Sequence, residues 1–342
     1  TDNETMRSPR GFSPEEFVAW AKQLRGKARR IVACYEAGCF GYVLCRRLVA
    51  LGIECLVVAP RKWDQGVKTD ARDARELCSN LDRYLNGNRK ALTIVHVPTE
   101  EQERRRSLSR QRRSLSDELQ RIQNMGTSHG RYYGEHVPSD WWKPKVFAEL
   151  RDSLSGFLIE LLEPWQKVLE VLGRQLKETT AREERQAATE EIPIGVGALT
   201  ASVLDSEFVD YERFTNRDAV SSFTGLCPGE ASSGGKRRQG SVTKQGNPAI
   251  RHFLQEAVWR MFNFQPDYKP IKDWRERIAR EGKLSPARKK KMAVAIARRF
   301  AVDWWRIRTG RADPDELGLK MALPSAYAAK AFREGRISKC YA

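Results

Sequence analysis

The spacing of apolar residues near the N-terminal end restricts the fold most. Arg29-Arg30-Ile31-Val32-Ala33-Cys34-Tyr35 and Ile53-Glu54-Cys55-Leu56-Val57-Val58-Ala59 are short β-prone runs, the second closed by Pro60. Between them Phe40, Val43, Leu44, Leu48 and Leu51 recur at helical spacing, and Gly52 follows at a C-cap position. Strand, helix and strand in that order make a parallel crossover. A further helical stretch, Thr69 to Leu85, stops at Asn86-Gly87-Asn88, and Ala91 to Val97 predicts a third strand ended by Pro98. Residues 1–98 therefore predict an α/β domain.

From about Glu100 the period changes. Leu108, Leu115, Leu119 and Ile122 mark one stripe of a long charged helix with a repeat near seven, which favours coiled-coil packing. Phe157, Leu161, Trp165, Val168, Leu172 and Leu176 step by three and four residues, as in a helix returning antiparallel to the first. Residues 99–185 thus predict a helical hairpin, with Thr179 to Glu191 as a polar linker. Residues 186–320 predict a mainly helical third unit, and 321–342 a C-terminal tail. The fold class read from the chain is α/β plus α.

Charge then narrows the partners. The 342 residues carry 61 Lys and Arg against 44 Asp and Glu, a net +17, so the molecule attracts polyanions, nucleic acid foremost. At 40% hydrophobic residues with 9 Trp the chain has too much apolar content for a basic disordered tail. No long apolar run suggests a membrane span and the first residues show no signal-peptide pattern, so the expected location is cytoplasmic, with no membrane partner. The 7 cysteines show no C-x-x-C pair and read as reduced thiols rather than a zinc site. His96, His129, His136 and His252 lack metal-binding spacing and are assigned no catalysis.

Two constellations bear on chemistry. Asp70 and Asp73 leave one face of a helix at neighbouring heights, and Glu36 ends an apolar strand; three oxygen donors of this kind suit Mg²⁺. The same acids also suit a helix-dipole pair beside Arg72 and a solvated strand end, and spacing does not choose between the two. The stretch Thr224 to Gly240 is a glycine-rich loop running into Lys236-Arg237-Arg238. A serine there, Ser233 or Ser232, has cations at hand to stabilise attack on a phosphodiester, or serves only as a phosphate contact. Ile192 to Ala201 suits either a phosphate-gripping helix-hairpin-helix turn or a plain glycine turn. Basic clusters recur at Arg104, Arg105, Arg106, Arg110, Arg112 and Arg113, at Lys236, Arg237, Arg238, Lys244 and Arg251, and at Arg288, Lys289, Lys290, Lys291, Arg298 and Arg299. Their recurrence predicts an extended nucleic-acid surface. Trp141-Trp142 and Trp304-Trp305 suit core packing better than base stacking.

Read in order, Tyr35-Glu36-Ala37-Gly38, Leu51-Gly52-Ile53-Glu54 to Pro60, and Val67-Lys68-Thr69-Asp70-Ala71-Arg72-Asp73-Ala74 resemble the Piv-invertase-like DEDD transposases of bacterial insertion sequences. Ile194-Gly195-Val196-Gly197, Gly225-Leu226-Cys227-Pro228, Ser232-Ser233-Gly234-Gly235-Lys236-Arg237-Arg238-Gln239-Gly240 and Lys244-Gln245-Gly246-Asn247 extend the likeness to the family's C-terminal transposase domain. The resemblance implies a RuvC-like, RNase H-type first domain whose acids bind Mg²⁺, a coiled-coil insertion, and a domain with a nucleophilic serine. By matched position Glu36, Asp70 and Asp73 supply the second to fourth acids, and Ser233, with Ser232 as the alternative register, the nucleophile. The family's opening G-x-D strand has no counterpart before Thr1-Asp2-Asn3-Glu4-Thr5, so the 1–98 unit is expected to lack its first strand, whether by truncation or because preceding residues are not in the sequence.

The family also implies donor and target DNA as substrates, a noncoding bridge RNA as guide, and a bacterial, nucleoid-associated setting. Chemical groups in separate domains predict a site shared between protomers of a dimer or tetramer. A RuvC-like metal-dependent nuclease, and a catalytically silent nucleic-acid-binding protein lacking one acid, are the competing expectations.

Overall fold

The computed structural model describes residues 12–38, 40–60, 69–187, 189–230, 239–282 and 284–324. The chain divides into two compact units, Thr1–Thr99 and Glu100–Ala342.

The first unit opens with α1 (Pro14–Arg25), continues through β1 (Val32–Glu36), α2 (Val43–Ala50) and β2 (Glu54–Val58), and ends in α3 (Asp70–Leu85). β1 and β2 pair in parallel from Val32↔Glu54 to Glu36↔Val58, as the crossover pattern requires. Successive strand side chains leave opposite faces. Ala33 and Cys55 accordingly pack with Ala21, Leu48 and Ile53 beneath α1 and α2. Val32, Cys34, Leu56 and Val58 meet Leu77, Leu81 and Tyr84 of α3 together with Leu92. The run expected as a third strand makes an isolated antiparallel bridge instead, Val58↔Ile94, with Ala59 N to Thr93 O at 2.9 Å and Val95 N to Val57 O at 2.8 Å. α1 carries its own start signal in the sequence: Ser13 and Glu16 form a reciprocal capping box at its N-terminus, and Pro14 stands at its first position.

The second unit begins with an antiparallel pair, α4 (Glu100–Tyr132) and α6 (Gly156–Ala187), joined through the short α5 (Pro144–Ser153). Ile122, Leu158, Leu162, Leu169, Trp141, Phe147 and Leu150 are its buried core. Two glycines set the geometry, because the Trp141 ring lies 2.4 Å from where a Cβ on Gly126 would sit, and the Trp142 ring 2.6 Å from one on Gly173. Trp141 Nε1 donates to Gln123 O at 3.2 Å. The linker expected from Thr179 is instead the last turns of α6, which runs to Ala187. Strong helix formers there continue the helix, and Glu183 turns its side chain into the contact with α4.

The rest comprises β3 (Ile192–Pro193), α7 (Ala198–Phe208), α8 (Arg217–Thr224), β4 (Pro228–Glu230), β5 (Gln239–Val242), α9 (Pro248–Phe264), α10 (Lys269–Glu281), α11 (Pro286–Arg308) and β6 (Met321–Ala322). One core gathers Leu204, Phe208, Ile250, Leu254, Val258, Met261, Ile296, Phe300 and Trp304. Trp304 Nε1 donates to Tyr211 Oη at 2.7 Å and Trp305 Nε1 to Tyr211 O at 3.0 Å, so both indoles belong to this core. The expected tail starts later than residue 321, since β6 pairs antiparallel with β3. The protein is mostly helical, and among the described residues each sheet has two strands. No described helix is long and apolar enough to cross a membrane.

Candidate functional site

The best-built part of the predicted site is the frame around the serine loop. α8 starts at Asn216, whose side chain accepts from Asp218 N and Ala219 N, and ends at Gly225, whose φ of 67° a Cβ-free residue adopts without strain. β4 and β5 then pair antiparallel, Pro228 opposite Val242 and Glu230 opposite Gln239, so that 231–238 connects the two strands of one hairpin. Ser232, Ser233, Lys236, Arg237 and Arg238 fall in that connection and lie outside the described residues.

The hairpin base is fixed by backbone contacts. Thr243 N donates to Cys227 O at 2.9 Å and Asn247 N to Phe223 O at 2.8 Å. Gly246 presses on Gly225 so closely that a Cβ would lie 2.4 Å from Gly225 N and 2.7 Å from Phe223 O. Lys244 is exposed, its backbone in the left-handed region at φ 56°. Arg251, expected on nucleic acid, turns its Nη1 to Thr224 O at 3.4 Å and Lys244 O at 3.3 Å, bracing the same loop.

Asn247 links this frame to the hairpin helices. Its Oδ1 caps α9 by accepting from Ala249 N at 2.9 Å and Ile250 N at 3.2 Å, and its Nδ2 donates to Glu207 Oε2 at 2.6 Å. Glu207, 2% exposed, also accepts from Arg106 Nε at 3.2 Å, and from Arg110 Nε at 3.0 Å and Nη2 at 3.2 Å. Burial pushes its carboxyl up, but Arg110, Arg106 and Asn247 outweigh burial and hold it below its ordinary value. The sequence reading missed Glu207, because nothing in Ser206-Glu207-Phe208 marks a buried acid.

The predicted cations separate into groups. Arg104 and Arg105 are exposed on α4, Arg104 beside Glu100 at 3.6 Å, and Arg113 pairs with Asp117 at 3.5 Å. Exposed pairs of this kind hold their partners weakly and remain available to a polyanion. Arg112 instead turns inward, donating from Nε to Thr180 Oγ1 at 3.0 Å and lying 6.0 Å from the Phe253 ring centre. Lys289 and Lys290 are exposed in the first turns of α11, behind the Ser285 cap and with no acid in the first turn. Cations near the positive end of a helix dipole are unfavourable for the helix itself.

Glu36 ends β1 half-buried, while Asp70 and Asp73 stand in the first turn of α3, capped by Thr69 Oγ1. Among the described residues no group of three or more His, Cys, Asp or Glu could hold a metal ion. Glu36, Asp70 and Asp73 are therefore not gathered into one such group.

Residues 188–271, which include the hairpin frame, Glu207 and Asn247, match the transposase family IS116/IS110/IS902. The chain is similar over most of its length to y4qE of Sinorhizobium fredii, a protein named as a transposase, at 29% identity over 84% of this chain and 77% of the relative. It is similar to the transposase of insertion sequence element IS1328 of Yersinia enterocolitica, at 23% identity over 81% of this chain and 84% of the relative. A third relative is the transposase of element IS1533 of Leptospira borgpetersenii, at 28% identity over 72% and 75%. The match of residues 188–271 and the similarity to named transposases over most of the chain mark it as an enzyme of the transposase kind.

Proposed function

We propose that this transposase cuts and rejoins donor and target DNA of an insertion sequence with Ser233 as its nucleophile. The observation that carries the reading is the β4–β5 hairpin, which delivers 231–238 from a base held by the Gly225–Gly246 contact and Arg251, within the matched 188–271. The serine Oγ attacks phosphorus and gives up its proton, one P–O bond to deoxyribose breaks, and that oxygen leaves as a hydroxyl. A hydroxyl of a second strand then attacks the phosphoserine and frees the serine, so the bond energy is conserved. Lys236, Arg237, Arg238 and Lys244, close in sequence, supply the charge that offsets the phosphorane.

The parallel β1–α2–β2 crossover supports reading the first unit as RuvC-like. The excess of cations supports a second nucleic acid besides the DNA, a bridge RNA whose base pairing selects the sites while the protein reads backbone and shape. A dimer or tetramer in the bacterial cytoplasm, beside the chromosome, completes the proposal.

The test is incubation with end-labelled donor and target DNA and the element's noncoding RNA, followed by denaturing electrophoresis with and without protease. A protease-sensitive adduct absent from Ser233→Ala is the expected result. An adduct retained by Ser233→Ala and lost from Ser232→Ala moves the nucleophile by one position. Cleavage without any adduct favours a hydrolytic nuclease, and binding without cleavage or joining refutes the assignment.

A further inference from the structure

The geometry points to Glu207 as a positioning residue for strand joining, a buried carboxylate that ties α4 to the base of the β4–β5 hairpin. The inference rests on the proposed role of that hairpin in the reaction. Four donors from two sources converge on this one side chain: Arg106 and Arg110 from α4, and Asn247 from the turn between β5 and α9. Asn247 has no freedom to move alone, because its Oδ1 is committed to the α9 cap and its backbone N to Phe223 O. Any shift of α4 that Glu207 follows therefore reaches Asn247, and through it the Gly225–Gly246 contact from which the hairpin springs.

The charge count supports a coupling role over a purely packing one. A buried ion pair stabilises a fold little better than apolar residues of the same volume, but it fixes relative position through directional bonds. Here the second arginine, Arg110, has a side chain 55% exposed, so its bidentate contact joins a solvent-facing part of α4 to a carboxylate that solvent hardly reaches. Glu207 touches neither DNA nor the reacting atoms in this account. Its effect passes through Asn247.

The test breaks the Glu207–Asn247 bond and leaves the α9 cap. Asn247→Asp keeps an acceptor for the Ala249 and Ile250 amides but sets a carboxylate against Glu207. Joined DNA product is followed at saturating DNA, alongside the half-saturating DNA concentration and the thermal midpoint. Asn247→Asp is expected to slow joining at saturating DNA about 10- to 100-fold, as a small misplacement of reacting groups does, with the half-saturating concentration unchanged. Joining at the wild-type rate in Asn247→Asp, or a change confined to the half-saturating concentration, overturns the proposal. If Asn247→Asp does not fold, Arg110→Gln, at a partly exposed position, replaces it and is read at saturating DNA, where any loss of affinity drops out: slowed joining there supports the coupling, and an unchanged rate overturns it. Wild-type product formed without a covalent adduct removes the serine reading while leaving the Glu207 comparison intact.

Discussion

Gly246→Ala is the sharpest probe of the hairpin frame. A methyl group there meets Gly225 N at 2.4 Å, Phe223 O at 2.7 Å and Gly225 Cα at 2.8 Å, all backbone atoms that no rotamer change can remove. Overpacking of this kind costs about 1–3 kcal/mol. The strand after α8 has to move away, and the Asn247 N to Phe223 O bond at 2.8 Å goes with it. That loss adds about 0.5–1.5 kcal/mol. The sum, about 1.5–4.5 kcal/mol, lowers a melting midpoint by about 3–18 °C for a unit of this size. Gly240→Ala is the control in the same hairpin, because its added methyl would meet only Gly229 O at 3.8 Å, an ordinary contact. Scanning calorimetry of the two variants beside the wild type decides the matter. If Gly246→Ala melts with the wild type, or falls no further than Gly240→Ala, the Gly225–Gly246 contact does not hold the frame.

Glu183 is buried beside Arg112, and neither of its oxygens has a hydrogen-bond partner. Burial raises its carboxyl above the ordinary value despite Arg112 and Arg182, so the folded protein keeps this proton to higher pH than the unfolded chain. The stability it contributes is full below the ordinary carboxylate range and is lost as pH rises through the folded value. Glu183→Gln should therefore raise the thermal midpoint at pH 7 and leave it unchanged in acid, checked by thermal melts across pH. Lys289→Gln and Lys290→Gln should each reduce the slope of log affinity against log salt by about 1, measured by fluorescence anisotropy with labelled duplex. Arg112→Gln, whose guanidinium faces Thr180 and Phe253, should lower the midpoint and leave that slope unchanged. Trp141→Ala should destabilise the α4–α6 hairpin by about 3–5 kcal/mol, read from its melting transition.

What was legible in the sequence was periodic. The crossover from β1 to β2 followed from two short apolar runs around a helical stripe, and α4 and α6 from their separate repeats. What was not legible depended on contacts between distant residues. The end of α6 was hidden because Thr179 to Glu191 is polar throughout, and the side chains that carry the helix on to Ala187 mark no apolar stripe. Arg112 and Arg251 looked like surface cations until their partners, Thr180 Oγ1 and the Thr224 and Lys244 carbonyls, were placed. Glu207 carried no local mark, since its four donors come from residues 97–101 positions before it and 40 after. The serine loop was legible as a motif, and its frame only as a fold.

α4 is also a mechanical element. From Arg106 to Tyr132 it is an unbroken rod, about 39 Å long at the rise of an α-helix. The root is bolted at Glu207 and the far end is keyed by Trp141 into Gly126. A rod of that length converts a tilt of about 5° at one end into about 3 Å of travel at the other. Read in the opposite direction, a load of that travel at Tyr132 reaches Glu207 as a few degrees of rotation, so stiffness along α4 determines how sensitively the hairpin frame registers what happens at the tip.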